Sequence, residues 1–238
     1  QNIGVFFNPK HERNDEIFNI LRKFSNDDNS FFGLADQISF LPDFISVYRS
    51  QSIKFILVFG GDGTILKAAR YSLQSGAPIL GVNLGKLGFL SDITINELEK
   101  ALNNLRENKF KIQKRMLIKS TVKRKGKNLI SALALNDAVL YKGHTSRLIN
   151  VRISYNGRFA LETRCDGVIA STPTGTTAYS LSAGGPIIYP EMEAIIVSPL
   201  NPHVLSVRPM VFTPKETITF KVSSCSDEAL LQVDGENV

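Results

Sequence analysis

Apolar residues in the first hundred positions follow two rhythms. Residues 3–7 (Ile3-Gly-Val-Phe-Phe7), 54–59 (Lys54-Phe-Ile-Leu-Val-Phe59) and 78–82 (Pro78-Ile-Leu-Gly-Val82) are short, nearly continuous apolar runs, as buried strands require. Elsewhere the spacing stretches to that of a helix face: Ile17, Ile20, Leu21 and Phe24, then Ile65, Leu66, Ala68 and Ala69, then Ile95, Leu98, Ala101, Leu102 and Leu105. Thr94 and Glu97 introduce the last set as a capping-box pair. Strands alternating with helices predict a parallel sheet with its ligand loops at the strand C-termini. After Lys111 the period drops to two. Residues 117–122, 148–155, 158–163 and 217–222 read as strands, and Asn156-Gly157 as a hairpin turn. The expected fold is a Rossmann-like α/β domain (1–108), a mainly-β domain (109–225) and a tail (226–238) that can return to the first domain, with the site between the halves.

Composition narrows the class. With 238 residues, 43% of them hydrophobic, the chain can fill one large or two modest cores. No apolar run reaches the length of a membrane span, and no basic-then-apolar leader opens the chain. Cys165 and Cys225 make no disulfide framework, and His11, His144 and His203 have no zinc spacing. A cytoplasmic protein without membrane or nucleic-acid partners is expected. The net charge of +6 suits polyanionic ligands. Much of it lies between Lys109 and Lys127, which reads as the solvated face of a hairpin turning at Lys125-Gly126-Lys127-Asn128.

Two segments carry chemistry. Gly60-Gly-Asp-Gly-Thr64 follows an apolar strand and opens a helix, a geometry that aims backbone N–H groups and a helix N-terminus at phosphate. Asp62 is odd there, because a carboxylate repels phosphate unless it holds a divalent cation or takes a proton from an attacking hydroxyl. The plain alternative is a helix-start aspartate that complements the dipole. The second segment runs from Asp166 to Gly185. Its stretch Ser171-Thr-Pro-Thr-Gly-Thr-Thr-Ala178 predicts a bent backbone with several free N–H groups, a nest for polar ligand atoms. Asp166 adds acceptors suited to vicinal sugar hydroxyls; the plain alternative is a polar turn between strand and helix. Two lookalikes fail. Gly61-Asp-Gly63-Thr-Ile-Leu66 lacks the third glycine of a dinucleotide fingerprint, and Gly81-Val-Asn-Leu-Gly85-Lys86 is one residue short of a P-loop and is followed by Leu87.

These segments, with Asn136-Asp137, Gly81-Val-Asn-Leu-Gly-Lys-Leu-Gly-Phe-Leu90 and Pro202-His-Val-Leu-Ser-Val-Arg-Pro209, make the chain resemble the bacterial NAD kinases. These enzymes phosphorylate the adenosine ribose 2′-hydroxyl of NAD to give NADP. The resemblance implies that Asp62 accepts the hydroxyl proton, that Gly60, Gly61, Gly63 and Thr64 form the donor-phosphate loop, and that Gly63 also lies against NAD. It makes Lys67 a basic contact, gives Asn136 and Asp137 the nicotinamide side, and gives Arg147 and Arg164 contacts to the dinucleotide. Asp166 would bind ribose hydroxyls, and Thr174, Thr177, Ala178, Tyr179 and Ser182 would line the pocket, Tyr179 either stacking on a ring or belonging to the core. Glu236 would be a further ligand. ATP or polyphosphate is the implied donor, with Mg²⁺ on its phosphates and no fixed protein ligand beyond an option for Asp62. NADP is the implied product and inhibitor, and a homodimer or homotetramer the implied assembly.

The chain departs from the family at Asp137, where Glu is usual, and at Glu236, where Gln is common. The shorter Asp137 side chain points to a contact through water. The chain opens on Gln1 and closes at Val238, so a trimmed start and a missing tail are expected. A lipid kinase sharing Gly-Gly-Asp-Gly would need an apolar entry, against which Asp166 and the polar block argue. A dinucleotide sensor would keep the pocket and lose Asp62 or the glycine turn; both are intact.

Overall fold

A computed structural model describes residues 1–25, 29–34, 45–47, 52–85, 88–143, 147–215, 217–224 and 229–238. Lys86, Leu87, His144 and Cys225, named above, lie outside the described residues. The chain divides into two units, Gln1–Ile112 and Gln113–Val238.

In the first unit, strands β1 (Asn2–Phe7), β2 (Ser30–Gly33), β3 (Ile45–Val47), β4 (Phe55–Phe59), β5 (Ile79–Asn83) and β6 (Ile93–Thr94) form one sheet in the order β3-β2-β1-β4-β5-β6. Every pairing is parallel, as the Rossmann-like expectation required. Helices α1 (Asn14–Phe24), α2 (Asp62–Ser75) and α3 (Leu98–Arg106) cover it. Strand β4 is buried end to end because both its faces are covered. Phe55, Leu57 and Phe59 pack with Ile17 and Leu21 of α1 and with Leu98 and Leu102 of α3. Ile56 and Val58, pointing the other way, pack with Ile65 and Ala68 of α2. Strands β2 and β3 are too short for their pattern to stand out in the sequence. Thr94 donates through its N–H and its Oγ1 to Glu97 (2.8 and 2.9 Å), so the expected cap forms, followed by a 3₁₀ turn before α3. Phe7 and Phe59 are register partners, so β1 and β4 end at the same sheet edge, where Gly60 begins.

The second unit is mainly β, as expected. Strands β7 (Ile118–Arg124) and β8 (Lys127–Ala134) form a hairpin through Lys125 (φ 50°) and Gly126 (φ 76°). The remaining strands are β9 (Asp137–Tyr141), β10 (Ile149–Tyr155), β11 (Arg158–Cys165), β12 (Gly167–Ser171), β13 (Ile195–Leu200), β14 (Met210–Phe212), β15 (Ile218–Ser224), β16 (Leu230–Val233) and β17 (Glu236–Asn237). They make a six-stranded sheet, β14-β13-β12-β9-β16-β17, and a three-stranded sheet, β11-β10-β15. Ile149, Val151, Ile153 and Cys165 of the smaller sheet pack with Val168 and Val197 of the larger. Asn156 (φ 48°) and Gly157 (φ 75°) close the β10–β11 hairpin with the left-handed pair that a type I′ turn needs. The described part of the tail, residues 229–238, belongs to the second unit. β16 pairs with β9 and β17 folds back on β16, because the open edge of β9 offers a full ladder of hydrogen bonds. Among the described residues no helix is long and apolar enough to cross a membrane.

Candidate functional site

The turn from β4 into α2 holds three glycines for different reasons. Gly60 has φ +154°, and a Cβ there would stand 2.5 Å from Thr64 Oγ1, so the fold itself demands glycine. A Cβ on Gly61 or Gly63 would meet nothing within 4 Å. Gly63 lies inside the helix, where it is worse than alanine by up to about 1 kcal/mol. Packing in this unit gives neither residue a reason to be glycine. Clear space before a helix N-terminus is what a closely lying anionic group uses.

Asp62 is the first residue of α2, and its carboxylate is held in place. Oδ2 accepts the Phe89 N–H and Oδ1 the Leu90 N–H, both at 3.0 Å. A Cβ on Gly88 would collide with the Asp62 carboxylate, so any larger residue there would push that carboxylate out of its place. The loop thus sets the plane of the carboxylate and leaves each oxygen a second acceptor direction, for one proton or one cation. Serving the helix dipole alone would not call for that grip. Lys67 is exposed on the same helix, about 140° around it from Asp62.

The segment from Asp166 to Gly185 is not one nest. Strand β12 runs through it, so Asp166 and Thr172 stand at opposite ends of a strand about 17 Å long. Four of the N–H groups expected to be free are taken. Thr172 N–H donates to Asn136 O (2.8 Å), Gly175 N–H to Thr172 Oγ1 (3.1 Å), Thr176 N–H to Pro173 O (3.3 Å) and Ala178 N–H to Gly175 O (2.9 Å). Hydroxyls are used in the same way. Thr172 Oγ1 donates to Leu135 O (2.5 Å), Thr176 Oγ1 donates to Pro173 O (2.6 Å) and accepts the Ile188 N–H (3.1 Å), and Ser180 pairs with Ser198 (3.3 Å). Burial is the reason, since each buried group left unpaired costs about 1–3 kcal/mol.

Among the described residues three buried side-chain atoms break that rule. Asn14 Oδ1 stands alone on α1, whereas Asn136 Oδ1 and Thr174 Oγ1 form a pair with no hydrogen-bond partner. They sit on adjoining turns: Asp137 opens β9 opposite Ser171, the last residue of β12, and a Cβ on Gly175 would collide with Asn136 O. Buried polar atoms are rarely left unmatched, so this pair marks a place for polar ligand atoms. Beside it, burial and then the neighbouring Asp234 carboxylate push Asp137 from the ordinary 3.8 up to about 6. The structure therefore brings Asn136, Asp137 and Thr174 together. Glu236 is exposed on β17, just past the turn that carries Asp234. Thr177 and Ala178 are half-buried, and Ser182 is exposed on the short helix α4 (Tyr179–Ser182). Tyr179, 47% exposed, is not a core tyrosine.

A second cluster forms at the far end of β12. Lys142 Nζ and Asn201 Nδ2 reach the Asp166 carboxylate at 2.7 and 2.8 Å, and these bonds hold it below the usual carboxylate range. Arg164 is exposed two residues earlier, and its carbonyl accepts the His203 N–H (2.9 Å). Arg147 is exposed just before β10, whose first residue pairs with Cys165. Sequence reasoning missed Lys142, Asn201, Gly88 and Asp234. Lys142 could have been found, since it follows β9 directly and β9 pairs with β12. Asp234 could not, because the backbone groups it holds lie 97–99 residues away.

Comparison with known proteins agrees with both units. Residues 36–110 match the ATP-NAD kinase N-terminal domain and residues 135–238 the ATP-NAD kinase C-terminal domain. The chain is 47% identical over 181 residues to the NAD kinase of Desulforamulus reducens, covering 76% of this chain and 63% of that protein. It is 42% identical over 194 residues to the NAD kinase of Aquifex aeolicus, covering 82% and 71%. Among solved structures, yeast NADH kinase complexed with NADH superposes on all of this chain and 76% of its own, with a TM-score of 0.85 and 29% identity.

Proposed function

The chain belongs to the ATP-NAD kinase family, and on that premise we propose that the protein transfers a phosphoryl group to the adenosine ribose 2′-hydroxyl of NAD, forming NADP. ATP or polyphosphate is the donor. The observation that carries this reading is the β4–α2 turn, where Gly61 and Gly63 keep space clear for no reason internal to the fold, beside an oriented carboxylate. Phosphoryl transfer asks for those two things, a close backbone approach to the phosphates and a base at the attacking hydroxyl.

In the transfer, the 2′-oxygen forms its bond to the γ-phosphorus while the bond to the donor's bridging oxygen breaks. The hydroxyl proton passes to a free acceptor direction of Asp62. The Phe89 and Leu90 N–H groups keep that carboxylate from rotating away. Asn136, Asp137 and Thr174 hold polar atoms of the dinucleotide, Asp166 its ribose hydroxyls, and the open face of Tyr179 a ring. A lone carboxylate among glycines fits a cation held mainly by the donor itself. Mg²⁺ would sit on the donor's phosphate oxygens with Asp62 as a protein contact, offsetting their charge. NADP fits the same pocket as a product inhibitor. A cytoplasmic homodimer or homotetramer completes the proposal.

The test is NADP formation from NAD, ATP and Mg²⁺, read by coupling to an NADP-specific dehydrogenase. A protein that binds NAD yet forms no NADP with either ATP or polyphosphate would be a dinucleotide sensor. Gly63→Ala gives a sharper check. Alanine improves the helix by up to about 1 kcal/mol and meets nothing in the fold. The variant should melt no lower than wild type and still lose about tenfold or more in kcat/KM. Unchanged kinetics would mean that no substrate lies against Gly63.

A further inference from the structure

We propose that Asp234 is a positioning residue for the dinucleotide site, its carboxylate fixing the backbone of residues 135–137 so that the Asn136 and Asp137 side chains meet the ligand. The inference rests on the reading above that these two residues touch NAD. One carboxylate takes three consecutive peptide N–H groups: Leu135 N–H on Oδ2 at 2.8 Å, and Asn136 and Asp137 N–H on Oδ1 at 2.7 and 3.1 Å. The Asp234 N–H returns a bond to Asp137 O at 3.0 Å.

The carbonyls of the same residues are held from the other side. Thr172 Oγ1 donates to Leu135 O, and the Thr172 N–H and Ser171 Oγ both donate to Asn136 O. The backbone of this turn is therefore paired on both flanks while Asn136 Oδ1 is left unpaired in the interior. A peptide saturated by its own protein, presenting one buried acceptor without a partner, is preorganised for something outside the chain.

Turn geometry does not explain an aspartate here. Asp234 has φ 48° and Gly235 φ 81° between β16 and β17, and asparagine adopts that conformation as well. Three converging N–H donors do explain it, because only a carboxylate offers acceptors on both oxygens. The same charge also acts on Asp137. The groups that β12 and the following turn bring to this end are neutral (Ser171, Thr172 and Thr174), and Glu236 on β17 is exposed. The charge felt by Asp137 is thus that of Asp234, which with burial raises it to about 6.

Asp234→Asn keeps the shape, removes the charge and turns an amide NH₂ toward one of the peptide N–H groups. Initial rates are measured with NAD varied at saturating ATP, from about pH 5 to about pH 9, because kcat/KM reports the groups of the free enzyme. At about pH 8 we expect kcat/KM for NAD to fall on the order of tenfold to a hundredfold with kcat within about threefold. We also expect the acid limb set by Asp137 to move to lower pH. An unchanged kcat/KM overturns the proposal, and so does a loss shared by kcat with the limb unmoved, which is how a merely structural residue behaves. If Asp234→Asn does not fold, Asp234→Glu carries the test: it keeps the charge and displaces the carboxylate, so kcat/KM should fall with the limb in place, and wild-type kinetics overturn the proposal. Asn136→Ala separates the two levels. If it leaves kcat/KM for NAD unchanged, the dinucleotide reading of this turn fails and takes the proposal with it. If Asn136→Ala weakens NAD use and neither Asp234 variant does, only the role of Asp234 is lost.

Discussion

Replacing Asp62 with asparagine is expected to lower kcat by about a hundredfold to ten-thousandfold, the usual contribution of a general base, while NAD affinity stays within about tenfold. Asparagine fits the same space but accepts no proton at neutral pH. It also cannot accept at both oxygen positions, so either the Phe89 or the Leu90 N–H will face an NH₂ group and the grip of the 88–90 loop will slacken. Melting temperature must therefore be recorded with the kinetics. A folded variant that binds NAD and turns over slowly has lost its proton acceptor. Near-normal kcat in a folded variant would remove Asp62 from the chemistry and leave it as a brace for the loop.

Asp137→Asn should stabilise the protein at neutral pH and weaken its hold on NAD. Raising the Asp137 carboxyl from 3.8 to about 6 means that carrying its charge in the folded state costs about 3 kcal/mol above pH 6. The sign follows from which state ionises first. Below about pH 4 the carboxyl is protonated in folded and unfolded chains alike and costs nothing. Between about 4 and 6 the unfolded chain ionises while the folded one resists, so stability falls as pH rises; above 6 the loss is complete. Urea unfolding of the variant should accordingly show a gain of about 2–3 kcal/mol at pH near 7.5 that fades by pH near 4. The same variant should bind NAD more weakly, since its amide cannot offer a carboxylate to the polar atoms on the nicotinamide side of the dinucleotide. Equal stability of the two proteins at both pH values would mean that Asp137 is better solvated than its burial implies. A residue that costs stability while sitting beside unpaired polar atoms is the pattern expected of a binding site.

Much of the fold was legible from period alone. The run Phe-Ile-Leu-Val-Phe59 is apolar on both faces, which only a sheet covered on both sides satisfies, and β4 is the center of such a sheet. Asn156-Gly157 permits the left-handed pair of its hairpin, and Thr94 with Glu97 starts a helix; all of these act over a few residues. The glycine–aspartate turn was legible for the same reason, because strand, turn and helix are contiguous. Strand β12 was not, since its five residues lie inside a segment that reads as polar and loop-like. Its partners, Asp137 on β9 and Leu200 on β13, come from two distant parts of the chain.

Local pattern by itself determined which residues form strands, turns and helices, and which residue types could handle phosphate and hydroxyl groups. Those choices are paid within one or two turns of backbone, so spacing records them. Only the tertiary structure decided which polar groups of Asp166 to Gly185 were already spent on the protein, that Asp62 is gripped by the 88–90 loop, and that Asp234 closes on residues 135–137. The last two depend on hydrogen bonds between groups 27 to 99 residues apart, and the first joins bonds within three residues to others across as many as 37. A hydroxyl or carboxylate looks the same in sequence whether it meets a ligand or a distant peptide N–H, and burial with or without a partner is what separates the two.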